Sequence, residues 1–398
     1  MEEYKLSDIA EVQTGPFGSQ LHNEDYVTIG TPIVTVEHLG NRQFSKQNLP
    51  LVSDADKERL AKYILQEGDI VFSRVGSVDR CSYVSASENG WLFSGRCLRV
   101  RCGDSCYPLF LYYYFCNEPI KQYIKSIAVG ATMPSINTKL MADIPIVLPN
   151  IENQKHIAAI LSSIDDKIEL NRRINGNLEQ QAQALFKAWF VDFEPFDKNT
   201  NGIPYNWEKI SLSDIMDYSG GSQPPASEFI NTYKDGYIRF IQIRDYASNS
   251  HITYIPISPR NKLCQKEDIM IARYGASLGR ICYGLEGAYN VALAKVIPKR
   301  PYYREFLRCY LSCNDFYEGI NKKGNRAVQA GFNQSDINSF ELWFPQDNNI
   351  LERFDEICHN LFKARMYNDE ENERLSKLRD TLLPRLMSGE LNVNTITE

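Results

Sequence analysis

In two stretches of the chain, before Pro149 and before Pro345, apolar residues come in short runs such as Ile33 to Val36, Ile70 to Phe72 and Ile144 to Leu148, closed off by Gly or Pro. Runs of this length bounded by turn formers predict strands. After Pro149, and again after Pro345, apolar residues recur every three or four positions, the spacing of one face of a helix. The first stripe reads Ile157, Leu161, Ile164, Ile168, Asn171, Asn175, Leu178, Ala182, Leu185 and Trp189. Alternating steps of four and three are those of a coiled-coil seam. The matching second stripe reads Phe354, Cys358, Leu361, Arg365, Asn368, Asn372, Leu375, Arg379, Leu382 and Leu386. Arg365 and Arg379 depart from the pattern, and Gly176 costs its helix about 1 kcal/mol relative to Ala. A single such helix is most simply packed on its own domain. Two in matched positions predict helices that pack on each other.

The strand-rich stretches match as well. Leu6-Ser7-Asp8-Ile9 followed by Gly15 recurs as Leu212-Ser213-Asp214-Ile215 followed by Gly221. Further along, Asp69-Ile70, Arg74, Gly76, Ser77 and Arg80 recur as Asp268-Ile269, Arg273, Gly275, Ser277 and Arg280, and Asn137 and Pro149 as Asn333 and Pro345. Order and spacing persist through short insertions, so one unit is written twice. A chain of 398 residues is also longer than one hydrophobic core usually serves. The expected architecture is α/β (α+β): two pseudo-symmetric domains at 1–149 and 197–345, with helices at 150–196 and 346–398 that form an antiparallel coiled coil.

A hydrophobic fraction of 43% with 24% charged residues describes an ordinary globular protein. The opening MEEYKLSDIAEVQ lacks the basic and apolar segments of a secretory signal, and no apolar run is long enough to span a bilayer, so a cytoplasmic location away from membranes is expected. The 10 Cys are irregularly spaced, and none of the 5 His stands at metal-ligand spacing beside them, which predicts free thiols and no metal. A net charge of -6 excludes a uniformly basic coat but leaves room for a local basic face. Residues 295–326 are such a segment: Lys295, Lys299, Arg300, Arg304, Arg308, Lys322, Lys323 and Arg326 stand against Glu305, Asp315 and Glu318. Cations so grouped suit DNA phosphates.

The paired sets Arg74, Gly76, Ser77, Arg80 and Arg273, Gly275, Ser277, Arg280 suit a strand followed by a Gly turn that offers backbone N–H groups and guanidinium groups to phosphate. A turn with a purely structural role fits the same residues. Asn137, Lys139 and Asn333 join them as candidate DNA contacts, with Lys295, Lys322, Lys323 and Arg326 from the basic segment. Tyr112, Tyr113 and Tyr114 lie in the apolar run LFLYYYF and are assigned to the core. The chain contains neither a GxxxxGK[ST] phosphate loop nor an Asn-Pro-Pro-aromatic motif, for which Asn117-Glu118-Pro119-Ile120 is a poor match.

Together these features resemble the specificity subunits of type I restriction-modification enzymes. The resemblance covers nearly the whole chain and is sharpest in LFKAWFVDFEPF at 185–196 and LRDTLLPRLMSGEL at 378–391, with GDIVFSRVGSVDR at 68–80 and IPYNW at 203–207 also similar. The second copy departs in having Glu267 where Gly68 stands. The resemblance implies a non-catalytic subunit that binds a split, asymmetric sequence in double-stranded DNA, one half per domain. It further implies two methyltransferase subunits docked on the helices and two restriction (motor and nuclease) subunits joining them. S-adenosylmethionine, ATP and Mg are then expected on those partners and no cofactor on this chain. A coiled-coil scaffold joining two protein-binding domains, or an orphan or antirestriction relative, are the alternative functions.

The four seam asparagines also predict a register. If duplicated helices meet antiparallel, Asn171 falls opposite Asn372 and Asn175 opposite Asn368, each amide finding an amide, while any other alignment buries unpaired amides at roughly 1–3 kcal/mol each. The same register sets Ile164 near Arg379 and Leu178 near Arg365, with aliphatic stems packed and guanidinium heads reaching water.

Overall fold

The computed structural model describes residues 2–16, 20–324 and 331–391. Contacts divide the chain into two compact units, Met1–Glu169 with Asn372–Glu398, and Leu170–Glu371. Among the described residues no helix is long and apolar enough to cross a membrane.

In the first unit one four-stranded sheet runs Ala10–Thr14, Cys97–Cys102, Ile70–Ser73, Cys81–Tyr83, with every pair antiparallel. A second runs Tyr26–Val27, Leu51–Val52, Thr31–Val34, Leu92–Phe93, the last pair being parallel. Glu2–Lys5 pairs with Pro145–Leu148. The helix Pro108–Cys116 begins on a proline, whose missing N–H is no loss in a first turn. It buries Tyr112, Tyr113 and Tyr114. The core between this helix and the first sheet takes in Ile157, Ala158 and Leu161 from one long helix and Leu383, Leu386 and Met387 from the other.

The second unit repeats the first sheet strand for strand: Met216–Gly220, Leu293–Pro298, Met270–Ala272, Ile281–Cys282. Trp207–Ser211 pairs with Glu341–Pro345. Its other sheet runs Thr253–Pro256, Tyr237–Ile241, Gly287–Tyr289, Leu263–Cys264. Here the copies trade edges. The strand Tyr26–Val27 shrinks to a single bridge, Ile230 with Tyr254, while the single bridge Ile64 with Leu92 grows into the strand Leu263–Cys264. The core of this unit gathers Phe186 and Phe190 from one long helix and Leu351, Phe354 and Cys358 from the other. Phe190 meets Phe306 and Phe354 edge-on at 4.8 and 4.9 Å, and Trp207 lies against Phe190, Phe193 and Phe196. The segment LFKAWFVDFEPF thus ends its helix in an aromatic anchor, as Leu383, Leu386 and Met387 do aliphatically in the first unit.

The long helices are Ile151–Phe190 and Asn348–Met387. The first starts under an Asn150 cap, whose Oδ1 accepts from the Asn153 N–H at 2.9 Å. The second continues through Pro384, so close to its end that little of the hydrogen-bond ladder is lost. All ten cysteines are free thiols.

Candidate nucleic-acid interface

In the first unit the strand Ile70–Ser73 leaves its sheet, turns through residues 74–80 and returns as Cys81–Tyr83. Gly76 takes φ +74° with open space where a Cβ would stand, so conformation rather than crowding demands glycine. Gly15 is demanded by crowding instead: a Cβ there would lie 2.2 Å from the Ser94 carbonyl oxygen, and one at its counterpart Gly221 would lie 2.0 Å from that of Asn290. The turn is clamped to a neighbouring segment, since the Gly76 N–H donates to the Pro134 carbonyl at 2.8 Å and the Ile136 N–H to the Arg74 carbonyl at 2.9 Å. Gly76, Ser77, Val78, Asp79 and Arg80 line one open concavity with Lys125 and Pro134. Lys125 pairs with Asp79 at 3.0 Å. Arg80 is held by the Leu39 carbonyl and, among the described residues, by no carboxylate.

The N–H groups of Gly76, Val78 and Arg80 donate to Pro134, Gly76 and Ser77, and those of Leu278 and Arg280 donate to Gly275 and Ser277. These groups close the turns, as the structural alternative for the same residues requires. Gly68 and Glu267 also differ as their residue types imply. Gly68 has φ +93°, whereas Glu267 carries no positive φ and pairs with Arg304 at 3.0 Å.

The second copy keeps the frame and changes its chemistry. Arg74 donates through Nη1 to the Thr14 hydroxyl at 3.2 Å and the Gly95 carbonyl at 3.3 Å. Arg273 instead lies among rings, its guanidinium carbon 5.8, 5.1 and 5.8 Å from the centroids of Tyr218, Tyr274 and Phe332. A Cβ on Gly220, the position of Thr14, would come within 2.8 Å of Arg273 Nη1, so glycine there makes room for the guanidinium. Gly275 and Arg280 are exposed and Ser277 half-buried.

Asn137 and Asn333 are helix caps. Asn137 Oδ1 accepts from the Leu140 N–H at 2.9 Å, and Asn333 Oδ1 from the N–H groups of Ser335 and Asp336 at 2.8 and 3.2 Å. Their acceptor oxygens are committed to the protein backbone. The Asn-x-x-Asp spacing of 333–336 carries the signal of a capping box. Lys139 is exposed.

The basic segment is largely neutralised within the protein. Lys295 pairs with Asp268 at 3.3 Å and donates to the Leu263 carbonyl at 3.0 Å. Arg304 pairs with Glu267, Lys322 with Glu318 at 3.4 Å, and Lys323 donates to the Ser339 hydroxyl. Arg308 is buried, bonded to Glu305 at 2.8 Å and stacked 3.6 Å over Phe362. Asp268 and Glu267, which supply two of these carboxylates, lie outside the segment as it was counted. Lys299 and Arg300 remain exposed. Arg326 lies outside the described residues.

On the helices, Asn368 Nδ2 donates to Asn175 Oδ1 at 2.8 Å, and Asn175 Nδ2 donates to Asp369 at 2.7 Å. Arg365 reaches Glu179 at 2.9 Å. As numbers rise on one helix they fall on the other, so within the second unit the pair is antiparallel. Asn171 donates to Glu371 at 2.6 Å, a carboxylate, while Asn372 belongs to the first unit and is half-buried. The two seam arginines do not end in water as expected. Arg365 finds Glu179, and in the first unit Arg379 finds Asp165 at 2.9 Å, each acid standing one residue beyond the apolar neighbour predicted for it. Burial works against the Arg379 cation, and the bond to Asp165 more than offsets it, so its pKa is raised. Asp165 also accepts from Tyr113 at 2.7 Å, and burial followed by that acid pushes the phenol up. Sequence reading missed this Tyr113–Asp165–Arg379 chain and the Glu305–Arg308 pair, because each joins residues distant in sequence or hides a charge in an apolar helix.

Two strand–turn frames, each in a separate core and joined by long helices, define a doubled recognition protein. A family model for the type I restriction modification DNA specificity domain matches residues 1–180 and again 204–366, and the chain belongs to that family. It is similar to the type I restriction enzyme MjaIX specificity subunit of Methanocaldococcus jannaschii, 27% identical over 98% of this chain and 94% of that one. The HindI specificity subunit of Haemophilus influenzae is 24% identical over 98% and 99% of the two chains. The crystal structure of a type I restriction-modification S subunit from M. genitalium shares the fold, with TM-score 0.58 at 16% identity, covering 97% of this chain and 95% of that one.

Proposed function

We propose that this chain is the sequence-reading, non-catalytic subunit of a type I restriction-modification complex, and that its two domains read the two halves of a bipartite, asymmetric sequence in double-stranded DNA. The observation that carries this reading is the repeated frame with exchanged chemistry, Arg74 held by hydroxyl and carbonyl groups and Arg273 held by three rings. A common frame places both turns alike, while different side chains make the two half-sequences differ. Domains at 1–149 and 197–345 do the reading. The helices at 150–196 and 346–398 seat two methyltransferase subunits, with two restriction subunits completing a cytoplasmic assembly. S-adenosylmethionine, ATP and Mg belong to those partners, and the pure chain neither methylates nor cleaves DNA.

Mapping methylated adenines in the host genome tests the reading. A motif of two unlike half-sequences separated by a spacer is expected. A continuous or perfectly palindromic motif would overturn it.

A further inference from the structure

A turn in the first unit presents apolar side chains to solvent beside the concavity that holds Gly76, Ser77 and Arg80. Val129 and Ser135 exchange two backbone hydrogen bonds, of 2.9 and 2.8 Å, closing the tip Gly130–Met133 into a tight turn. Gly130 has φ +110°, and a Cβ on it would stand 2.7 Å from the Met133 carbonyl oxygen, so the turn closes only on glycine. Below the tip, Val75 bridges to Ser135, the Gly76 N–H donates to Pro134, and buried Ile136 roots the segment in the core. On this fixed base Met133 is 67% exposed and Val129 63%.

A scattered exposed apolar residue needs no explanation. Here two share one turn, the turn is braced from both sides, and cations flank it. Arg80 and Lys125, the latter paired with Asp79, line the concavity together with Pro134, and exposed Lys139 stands three residues after Ile136. A braced apolar tip among cations matches the chemistry of a stacked, polyanionic duplex. The cations face phosphates while the apolar group enters the stack, as apolar wedges do in proteins that part base steps. Methionine suits that task, being unbranched and polarisable, and its thioether packs well on aromatic faces.

We infer that Met133, supported by Val129, inserts between adjacent base pairs of the DNA half-sequence read by the first copy and partly unstacks them. This rests on the DNA-reading function proposed above and adds a mechanical step to it, since the sequence at the parted step then matters through its ease of unstacking. The corresponding residues of the second copy, 325–330, lie outside the described residues, so the inference concerns the first copy alone.

The test uses the full chain and a duplex recovered by it from a random-sequence pool, with 2-aminopurine placed at successive positions of the recovered sequence. The wild-type chain should brighten the probe at one step. Met133→Ala should abolish that rise and weaken binding to the recovered duplex by roughly tenfold, the scale of one lost stacking contact. Its binding to unrelated DNA and its salt slope should hold, because no phosphate contact is removed. Met133→Leu, which keeps the apolar volume, should retain the rise, and both variants should melt with the wild type because the side chain is exposed. A wild-type complex with no brightened step, or a rise that persists in Met133→Ala, overturns the wedge and leaves DNA reading intact. Failure of the pool to enrich any duplex overturns both.

Discussion

The helices that follow the strand Cys97–Cys102 in the first copy and the strand Leu293–Pro298 in the second occupy one place in a repeated frame and fill it with opposite chemistry. In the first copy the helix Pro108–Cys116 carries Leu111, fully buried. In the second, counting back equally from the paired Cys116-Asn117 and Cys313-Asn314, that position is Arg308. Its guanidinium is bonded to Glu305 and stacked on Phe362, and the Glu305 carboxylate also meets His359 at 3.3 Å. Arg74 and Arg273 repeat the lesson in the strand–turn frame, one hydrogen-bonded and the other ring-stacked. A backbone frame set by strand pairing and a few glycines tolerates exchange of its interior, provided every buried charge acquires partners.

Exchanging the two interiors is the severest way to break this comparison. Leu111→Arg would bury a cation where Pro108 stands in place of Glu305, at a cost of several kcal/mol. Arg308→Leu should cost about 3–5 kcal/mol, because the Glu305 carboxylate stays buried after losing its cation. Combining Arg308→Leu with Glu305→Leu should recover most of that loss, since an apolar pair of suitable volume commonly equals a buried ion pair. Hydrogen exchange resolves the outcome by copy. Protection should fall in the helix Arg304–Leu311 and hold in Pro108–Cys116 for the single Arg308 variant. Equal loss in both helices would show that the cores are not separate.

The same comparison shows what could be read from the residues alone. The short strands, the Gly turns and both long helices follow from period and punctuation, which are local properties. The matched positions of Leu111 and Arg308 are also visible in the sequence, but that the arginine is buried is not, because its partners Glu267 and Phe362, and the His359 that meets Glu305, come from distant segments. For the same reason the basic run misled. Counting within 295–326 omits Asp268 and Glu267, which strand pairing and the turn bring to Lys295 and Arg304. The traded edges of the second four-stranded sheet of each unit were illegible too, since they depend on two-residue strands such as Tyr26–Val27 and Leu263–Cys264.

A smaller effect sharpens the helix half of the comparison. Within the second unit Asn175 carries bonds to Asn368 and Asp369, and losing Asn175 alone orphans the Asn368 amide. Asn175→Leu should therefore cost about 1–3 kcal/mol. Replacing Asn175 and Asn368 together with Leu should restore or raise stability while weakening the register, as removing a polar seam residue does in coiled coils. Spin labels placed across the pair read this directly. A broadened distance distribution in the double variant is expected, and an unchanged one would mean that Arg365 with Glu179 sets the register by itself.

The mildest substitutions separate capping from DNA contact in the two copies. Asn137 caps Thr138–Ala142 through one N–H, whereas Asn333 caps Gln334–Asn338 through two and receives a reciprocal bond, its own N–H donating to Asp336 at 2.8 Å. Loss of a cap costs roughly 0.5–2 kcal/mol. Asn137→Ala should sit toward the lower end of that range and Asn333→Ala toward the upper, a difference set by the number of N–H groups left without an acceptor. Serine also caps, so Asn137→Ser and Asn333→Ser should regain most of the stability. If the two side chains serve as caps alone, the Ser variants will bind DNA as the wild type does, with the same sequence preference and salt slope. A Ser variant that is stable yet has lost preference for one half of the motif would restore that asparagine to the reading surface, through its Nδ2 group, which capping leaves uncommitted. The unequal stability losses of the two Ala variants would stand even then, because they follow from the first turn of each helix and not from what the domain binds.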